Sequence, residues 1–213
     1  MSRRRYFPFG VGCGHGVRGR SVGDGSDAVT LPEYINAQFD PSLSWADVEW
    51  MRSIWSGPIV IKGIQGVEDP RIAVDAGVDA GVDAIALSNH GGRQLDGAPA
   101  SLELLPSVAD AVLQGAIPIL CDGGVRRGSD IVKAVALGAT ACMAGRAYLY
   151  GLGAAGESGV DFVLRLLAED VLRTMRLCGL SSISELTNER VRYRSSLDES
   201  SQHGLGNPRA SDV

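Results

Sequence analysis

The sequence has no excess of basic residues and no cysteine pair of the kind that holds a metal ion. Among its 213 residues, 20 lysines and arginines face 25 aspartates and glutamates, which gives a net charge of −5. This balance disfavours a nucleic-acid binder, because such a protein needs basic surface to neutralise phosphates. Four scattered cysteines without a CxxC pair argue against a zinc site or a disulfide framework and favour the reducing cytoplasm.

Long hydrophobic runs are also missing. No run in the sequence approaches the roughly 18 apolar residues that span a membrane, so we expect no transmembrane segment. Peripheral attachment to a membrane surface stays open. With 45% hydrophobic and 21% charged residues, the composition is that of a globular domain rather than of a disordered chain.

Glycine, by contrast, is abundant, with 28 residues where an average protein has roughly 7%. Seven glycines fall within residues 10–25, a stretch without helical or strand periodicity. We therefore expect an irregular Gly/Arg-rich segment over residues 1–33 and a folded part over residues 34–194. The Ser/Asp/Gly-rich residues 195–213 predict a disordered tail.

Four short apolar runs end in polar or glycine-rich turns: Pro58–Gly63, Ala84–Asn89, Pro118–Gly124 and Ala141–Arg146. Continuous runs of this length predict strands that are buried on both faces of a parallel sheet. Between and after them lie helical patterns, with caps expected at Ser44, Ser101 and Ser129 and a longer helix over Ser158–Cys178. The alternation predicts an α/β fold with its chemistry at the carboxyl ends of the strands.

One internal repeat is visible between the first two predicted strands. Asp75–Val78 reads Asp-Ala-Gly-Val, and Asp79–Val82 repeats it at once. Four residues are too few for a solenoid repeat. We interpret the copy as a longer loop or an extra helical turn.

The segment Ser88–Asp96 follows the second predicted strand and reads Ser-Asn-His-Gly-Gly-Arg-Gln-Leu-Asp. His90 has the pKa range for proton transfer near neutral pH, and the planar guanidinium of Arg93 suits a carboxylate. A single histidine in a loop is more often solvated or structural. The His-Gly-Gly-Arg order at a strand end favours the functional interpretation.

Two glycine-rich turns with arginines follow the last two predicted strands. They contain Asp122–Arg126 (Asp-Gly-Gly-Val-Arg) and Gly145–Arg146. Free backbone N–H groups beside an arginine are suited to phosphate, so the pair predicts a site for a phosphorylated cofactor. Lys62 closes the first predicted strand, where it is either a solvated charge or a partner for negative charge on a cofactor.

These motifs together resemble the FMN-dependent α-hydroxy-acid dehydrogenases and oxidases, a family that includes L-lactate dehydrogenase, glycolate oxidase and mandelate dehydrogenase. The resemblance implies FMN as cofactor and oxidation of a small 2-hydroxy acid to a 2-keto acid. It implies His90 as the catalytic base and Arg93 as the holder of the substrate carboxylate. The residues it assigns to the cofactor are Lys62, Ser88, Asp122, Gly123, Gly124, Val125, Arg126, Gly145 and Arg146.

The resemblance covers only part of that family's fold. It implies a TIM-type (β/α)8 barrel of which only the last four βα units are present, a half-barrel over residues 34–194, in a truncated form. We expect homo-oligomers, because such a half-barrel leaves strand edges open. Two alternatives stay open: a non-catalytic half-barrel that binds phosphate or a partner, and a related flavoenzyme acting on a peptide-derived hydroxy or amino acid. The motifs name neither the substrate side chain nor the electron acceptor.

Overall fold

A computed structural model of the chain describes residue 40 and residues 42–75, 82–112 and 117–192. The expected irregular segment 1–33 and the tail 195–213 lie outside these residues, as does most of the tandem repeat. The chain divides into two units, Met1–Gly123 and Gly124–Val213. We describe each unit by itself.

The first unit alternates helices and strands. Its elements are α1 (Trp45–Ile54), β1 (Val60–Ile64), α2 (Glu68–Asp75), β2 (Ala84–Leu87), a 3₁₀ turn (His90–Gly92), α3 (Ser101–Ala111) and β3 (Ile119–Cys121). The three strands are parallel and lie in the order β1-β2-β3, with Val60 opposite Ala84 and Ile85 opposite Ile119. A parallel α/β sheet is therefore confirmed in this unit.

The core of the first unit surrounds β2. Ile85, Ala86 and Leu87 are fully buried, and so are Leu105 and Val108 of α3. Burial of β2 on both faces agrees with the prediction for a parallel strand. For β1 the prediction is only half right: Val60 is exposed and Ile64 is buried.

Asp83, just before β2, accepts hydrogen bonds from two residues at the amino-terminal side of this sheet. Its carboxylate accepts the Ile59 N–H at 2.7 Å and a hydrogen bond from the Arg52 guanidinium. Arg52 belongs to α1, whose start at Ser44 was predicted correctly. There the Asp47 carboxylate accepts the Ser44 N–H at 2.6 Å in a capping box.

The second unit contains α4 (Gly128–Ala136), β4 (Ala141–Cys142), α5 (Arg146–Leu177) and two 3₁₀ turns (Ile183–Glu185 and Asn188–Arg190). A small core joins α4, α5 and the chain that follows, through Val132, Met175 and Leu180. The two residues of β4 are only exposed or partly buried. The prediction of a strand buried on both faces is therefore wrong for β4.

Helix α5 is two helices joined by a break. Ala155 and Gly156 have non-helical dihedral angles, with φ of +60° at Gly156. The segments before and after the break pack so closely that a Cβ on Gly151 would lie 2.5 Å from the Gly159 carbonyl oxygen. The predicted helix over Ser158–Cys178 matches the second segment. The first segment was missed because its glycines weaken the helical pattern.

Two predicted helix caps need correction. Ser101 is the first helical residue of α3, and Ala100 occupies the cap position without a side-chain hydrogen bond. Helix α4 begins at Gly128, one residue before the predicted cap Ser129. Glycine is required at 128 because a Cβ there would lie 2.2 Å from the Val171 backbone nitrogen.

Candidate active site

Three polar side chains meet at the carboxyl ends of the first unit's strands. The Lys62 ammonium donates to Ser88 Oγ at 2.9 Å and lies 3.1 Å from the Asp122 carboxylate. Ser88 is fully buried, whereas 39% of the Lys62 side chain and 18% of the Asp122 side chain are exposed. A positive charge is thus held at the strand ends by one hydroxyl and one carboxylate.

Parallel pairing brings these residues together. Lys62 lies opposite Ala86 in the register of β1 and β2. The Asp122 N–H donates to the Leu87 carbonyl at 3.0 Å, which aligns the end of β3 with the end of β2. Residues that end neighbouring parallel strands share one edge of the sheet, as the sequence predicts.

His90 begins the turn that follows β2, and its backbone is in an unusual conformation. Its φ is +53°, and the φ values of Gly91 and Gly92 are +69° and +72°. The left-handed region costs a residue with a Cβ about 1–2 kcal/mol. The His90 N–H donates to Ser88 Oγ at 3.1 Å, so the hydroxyl that accepts from Lys62 also fixes the backbone of the histidine. Such strain is concentrated at functional sites.

Arg93 ends the same turn. It has helical dihedral angles at the C-cap of the His90–Gly92 turn, and it is exposed. The structure therefore places the two predicted substrate residues on one short turn beside the Lys62–Ser88–Asp122 cluster.

Two further residues, one in this loop and one at the start of α3, were missed by sequence reasoning. Asn89 accepts the Gly91 N–H on Oδ1 at 3.0 Å and donates from Nδ2 to the Pro99 carbonyl at 3.3 Å. Its signal was the Asn-x-Gly order, because asparagine commonly accepts the amide two residues ahead. Ser101 is buried, and its hydroxyl has no hydrogen-bond partner among the described residues. No sequence signal distinguishes it from an ordinary helix start.

Gly123 lies against both of these residues. Its φ is +95°, and a Cβ there would lie 3.0 Å from Asn89 Oδ1 and 3.3 Å from Ser101 Oγ. Only glycine meets both requirements without a shift of its neighbours. Gly123 is therefore needed for packing inside the first unit, besides its predicted place in a phosphate loop.

In the second unit, two carboxylates accept hydrogen bonds from the backbone amides at the start of α4. Asp130 accepts the N–H groups of Arg126 and Arg127, both at 3.0 Å. Asp170 of α5 accepts the Gly128 N–H at 2.7 Å. These three amides are therefore not available to a phosphate, whereas the side chains of Arg126 and Arg127 are exposed and can reach an anion.

The remaining predicted phosphate residues differ in exposure. Val125 is buried, whereas Gly124, Gly145 and Arg146 are exposed. A Cβ at Gly124 or Gly145 would meet nothing within 4 Å, so space is open beside both backbones. Gly145 is the N-cap of α5, where amide groups favour an anion.

Cys142 is not a reactive thiol. Burial, followed by the negative charge of Asp130, raises the pKa of the Cys142 thiol to about 11. Because the thiolate is the nucleophile, this cysteine is inert near neutral pH. No group of three or more metal-ligating side chains occurs within the described parts of the chain.

The sequence and the fold of this chain are similar to those of proteins of known function. The family model of FMN-dependent dehydrogenases matches residues 12–193. The chain belongs to this family. The match begins ahead of Tyr34, where the sequence motifs place the start of the resemblance, and it includes residues that the structure does not describe.

Three similar proteins show what members of the family do. The chain is 53% identical over 156 residues to an L-lactate dehydrogenase of Alcaligenes faecalis, covering 73% of this chain and 40% of the relative. It is 46% identical to a mandelate oxidase variant with an FMN monooxide adduct, with a TM-score of 0.64 and coverage of 70% and 46%. It is 40% identical to a soluble mutant of the membrane-associated (S)-mandelate dehydrogenase of Pseudomonas putida, with a TM-score of 0.66 and coverage of 79% and 48%.

These findings confirm the predicted family and its cofactor, FMN. The chain spans less than half the length of each of the three proteins. Within the parts of the chain that the structure describes, no helix combines the length and the apolar character that membrane crossing requires.

Each unit, taken by itself, carries groups that suit one part of FMN. The flavin ring system carries negative charge when reduced, and Lys62 supplies a fixed, partly exposed ammonium group. The phosphate group requires cations and open backbone, which Arg126, Arg146 and the space beside Gly124 and Gly145 supply in the second unit.

Proposed function

We propose that this chain carries the catalytic residues for FMN-dependent oxidation of a lactate-like L-2-hydroxy acid to the corresponding 2-keto acid. One observation carries the proposal: Ser88 accepts hydrogen bonds both from the Lys62 ammonium and from the backbone of His90. A cation for the cofactor and a base for the substrate are thereby fixed by the same hydroxyl. The family membership and the lactate and mandelate enzymes among the similar proteins support the same reaction.

His90 is the general base in this proposal. Oxidation turns the C–OH group of the substrate into a carbonyl, and the substrate loses two electrons and two protons. The chemistry that bound FMN would supply is acceptance of the two electrons and of the second proton. The imidazole of His90 takes up one proton, for which histidine is suited near neutral pH. The left-handed turn holds His90 at the end of β2. In the proposal, its imidazole accepts the substrate proton there.

Arg93 binds the substrate carboxylate. Its planar guanidinium can donate two parallel hydrogen bonds to the two carboxylate oxygens. Only Gly91 and Gly92 separate Arg93 from His90 on one short turn. The carboxylate and the reacting hydroxyl of a 2-hydroxy acid lie on adjacent carbons, so base and anchor must be close together, as a short turn allows.

Lys62, Ser88 and Asp122 serve the flavin ring in this proposal. The ammonium of Lys62 stabilises negative charge on the ring, while Ser88 and Asp122 hold that ammonium in place. Ser88 is fully buried, so it acts on the cofactor through Lys62 and on the substrate through His90.

The glycine-rich turns bind the cofactor phosphate. Gly123, Gly124 and Val125 provide close backbone approach, Gly145 provides open backbone at the start of α5, and the side chains of Arg126 and Arg146 supply positive charge. The carboxylate of Asp130 already accepts the Arg126 amide, so phosphate binding at this turn relies on the guanidinium. We also propose that the chain contributes the last four βα units of a (β/α)8 barrel and self-associates in the cytoplasm.

A graft tests the function directly. Residues 34–194 replace the matching segment of the Alcaligenes faecalis L-lactate dehydrogenase, and the purified graft is mixed anaerobically with L-lactate while flavin absorbance is recorded. We expect bleaching of the flavin band, abolished by His90→Gln in the same graft. A graft that folds and binds FMN but does not bleach with any 2-hydroxy acid would contradict the proposal and favour a non-catalytic binding module. Bleaching only by peptide-derived hydroxy or amino acids would favour the related flavoenzyme.

A further inference from the structure

Asn89 contacts both ends of the loop that carries the two residues proposed for the chemistry. Its Oδ1 accepts the Gly91 N–H at 3.0 Å, and its Nδ2 donates to the Pro99 carbonyl at 3.3 Å. Its own carbonyl accepts the Gly92 N–H at 2.9 Å. One side chain therefore fastens the loop from His90 to Pro99 at its beginning and at its end.

The start of the loop needs such a fastening. His90, Gly91 and Gly92 are all in the left-handed region, with φ between +53° and +72°. Glycine adopts this region freely, so the energetic cost of the conformation falls on His90. The hydrogen bonds from His90 to Ser88 and from Gly91 to Asn89 hold this conformation from two sides.

The carboxamide of Asn89 is itself confined. Gly123 approaches so closely that a Cβ there would lie 3.0 Å from Asn89 Oδ1. The side chain is thus limited on one side by Gly123 and bonded to Gly91 and Pro99 on the others. A side chain held in this way can transmit a defined position to the loop.

We propose that Asn89 is a positioning residue that sets the places of His90 and Arg93 without touching the substrate. It acts on His90 through the Gly91 amide and on Arg93 through the closure of the loop at Pro99. The proposal rests on the function proposed above for His90 and Arg93. The alternative is that Asn89 merely contributes to stability, with no effect on where these two side chains lie.

Two substitutions at Asn89 distinguish the effects of its two side-chain hydrogen bonds. Asn89→Asp keeps an acceptor for the Gly91 N–H and loses the donor to the Pro99 carbonyl, whereas Asn89→Ala removes both. The matched control is Asn188→Ala, because Asn188 is an exposed asparagine that starts a 3₁₀ turn in the other unit. The full 213-residue chain is used throughout.

Nuclear magnetic resonance of the chain gives the readouts. Amide exchange is measured at Gly91, and the positions of the His90 imidazole C–H and Arg93 Nε–H cross-peaks are recorded, with His90→Gln used for assignment. Asn89→Ala should accelerate exchange at Gly91 at least about fivefold, as expected for the loss of one hydrogen bond, and should move both cross-peaks. Asn89→Asp should restore the exchange rate and the His90 cross-peak and leave the Arg93 cross-peak displaced. Asn188→Ala should change none of them.

The results that overturn the proposal are specific. Either His90 and Arg93 cross-peaks equal to wild type in Asn89→Ala, or the same spectrum from both Asn89 variants, would show that the residue only stabilises the loop. If Asn89→Ala does not fold, Asn89→Asp decides alone, because it should move Arg93 and not His90. Addition of L-lactate to the wild-type chain is a separate measurement. An absent response of Arg93 would count against the proposed function, whereas the role of Asn89 is judged from the variants.

Discussion

Lys62, Ser88 and Asp122 of the first unit are held together, whereas the side chains of Arg126 and Arg146 in the second unit are exposed. The Lys62 ammonium donates a hydrogen bond to Ser88 and forms an ion pair with Asp122 at the strand ends. Arg126 and Arg146, by contrast, extend from turns with open space beside the neighbouring glycines. A group that must act in one geometry is best held before the ligand arrives. A group that only balances the charge of a phosphate needs less support from the protein.

This difference predicts that substitutions in the two units affect different quantities, the reaction rate or substrate affinity in one case and the FMN affinity in the other. Substitutions of His90 and Arg93 in the first unit should change the rate or the substrate affinity and leave FMN affinity nearly unchanged. Substitutions of the arginines in the second unit should do the reverse.

The largest effect is expected from His90→Gln in the graft. Loss of a general base typically lowers a rate by about 10²–10⁴-fold, and the phosphate-binding residues lie elsewhere in the sequence. Rapid-mixing absorbance should show a flavin that is bound with wild-type affinity and reduced far more slowly by L-lactate. Reduction at the wild-type rate would remove His90 from the mechanism.

Arg93→Met should have the next largest effect. The substrate carboxylate would lose a charge-assisted clamp worth roughly 1.5–3 kcal/mol, so kcat/KM should fall about tenfold to 150-fold, with KM raised and turnover lowered. Steady-state dye reduction by the graft measures both constants. Arg71→Met, at an exposed arginine of α2, is the control and should leave both constants unchanged. An unaltered kcat/KM in Arg93→Met would refute the assignment.

Gly123→Ala should destabilise the folded chain by about 1–3 kcal/mol, because its backbone is left-handed and its Cβ would press on Asn89. Gly124→Ala should cost less, since it shares the positive φ but has open space. Gly66→Ala, without either constraint, is the control. Urea denaturation of the three variants measures the order. Equal losses at positions 123 and 124 would show that the contact with Asn89 is unimportant.

The smallest effect concerns the pH dependence of stability. The backbone N–H of Ile59, followed by the guanidinium of Arg52, lowers the pKa of the Asp83 carboxyl below its ordinary value of 3.8. A lowered folded-state pKa stabilises the fold above pH 3.8, and this contribution is lost as the pH falls further. Asp83→Asn should therefore reduce the difference between urea midpoints at pH 6 and pH 2.5, and Arg52→Gln should do so in part. An undiminished difference in Asp83→Asn would contradict this.

The sequence was sufficient to predict the strand ends and the residues placed there. The continuous apolar run of β2 and the polar residues after it determine that Ser88 and His90 follow a buried strand, and parallel pairing then aligns Lys62 and Asp122 with them. The hydrogen bond from the Gly91 N–H to the Asn89 side chain could have been predicted, because the asparagine stands two residues before a glycine. The left-handed φ of His90 could not, because a positive φ is uncommon in residues other than glycine.

Other features depend on contacts between distant residues. Asp170 lies 42 residues from Gly128, whose amide it accepts, and no local pattern connects them. The hydrogen bonds that Asp130 and Asp170 accept from the start of α4 could therefore be found only in the structure. For the function proposed above, they leave phosphate binding at this turn to arginine side chains rather than to those three backbone amides.

Titration of the full chain with FMN and with riboflavin, followed by flavin fluorescence, tests the separation of the two regions most directly. Riboflavin has the same ring system and no phosphate. We predict that FMN binds more tightly than riboflavin and that Arg126→Gln and Arg146→Gln each weaken FMN about tenfold or more, with no effect on riboflavin. His90→Gln should leave both affinities within about twofold of wild type, because general-base residues act on rate rather than on cofactor binding. Equal affinities for FMN and riboflavin, or a loss in His90→Gln as large as in the arginine variants, would contradict the account.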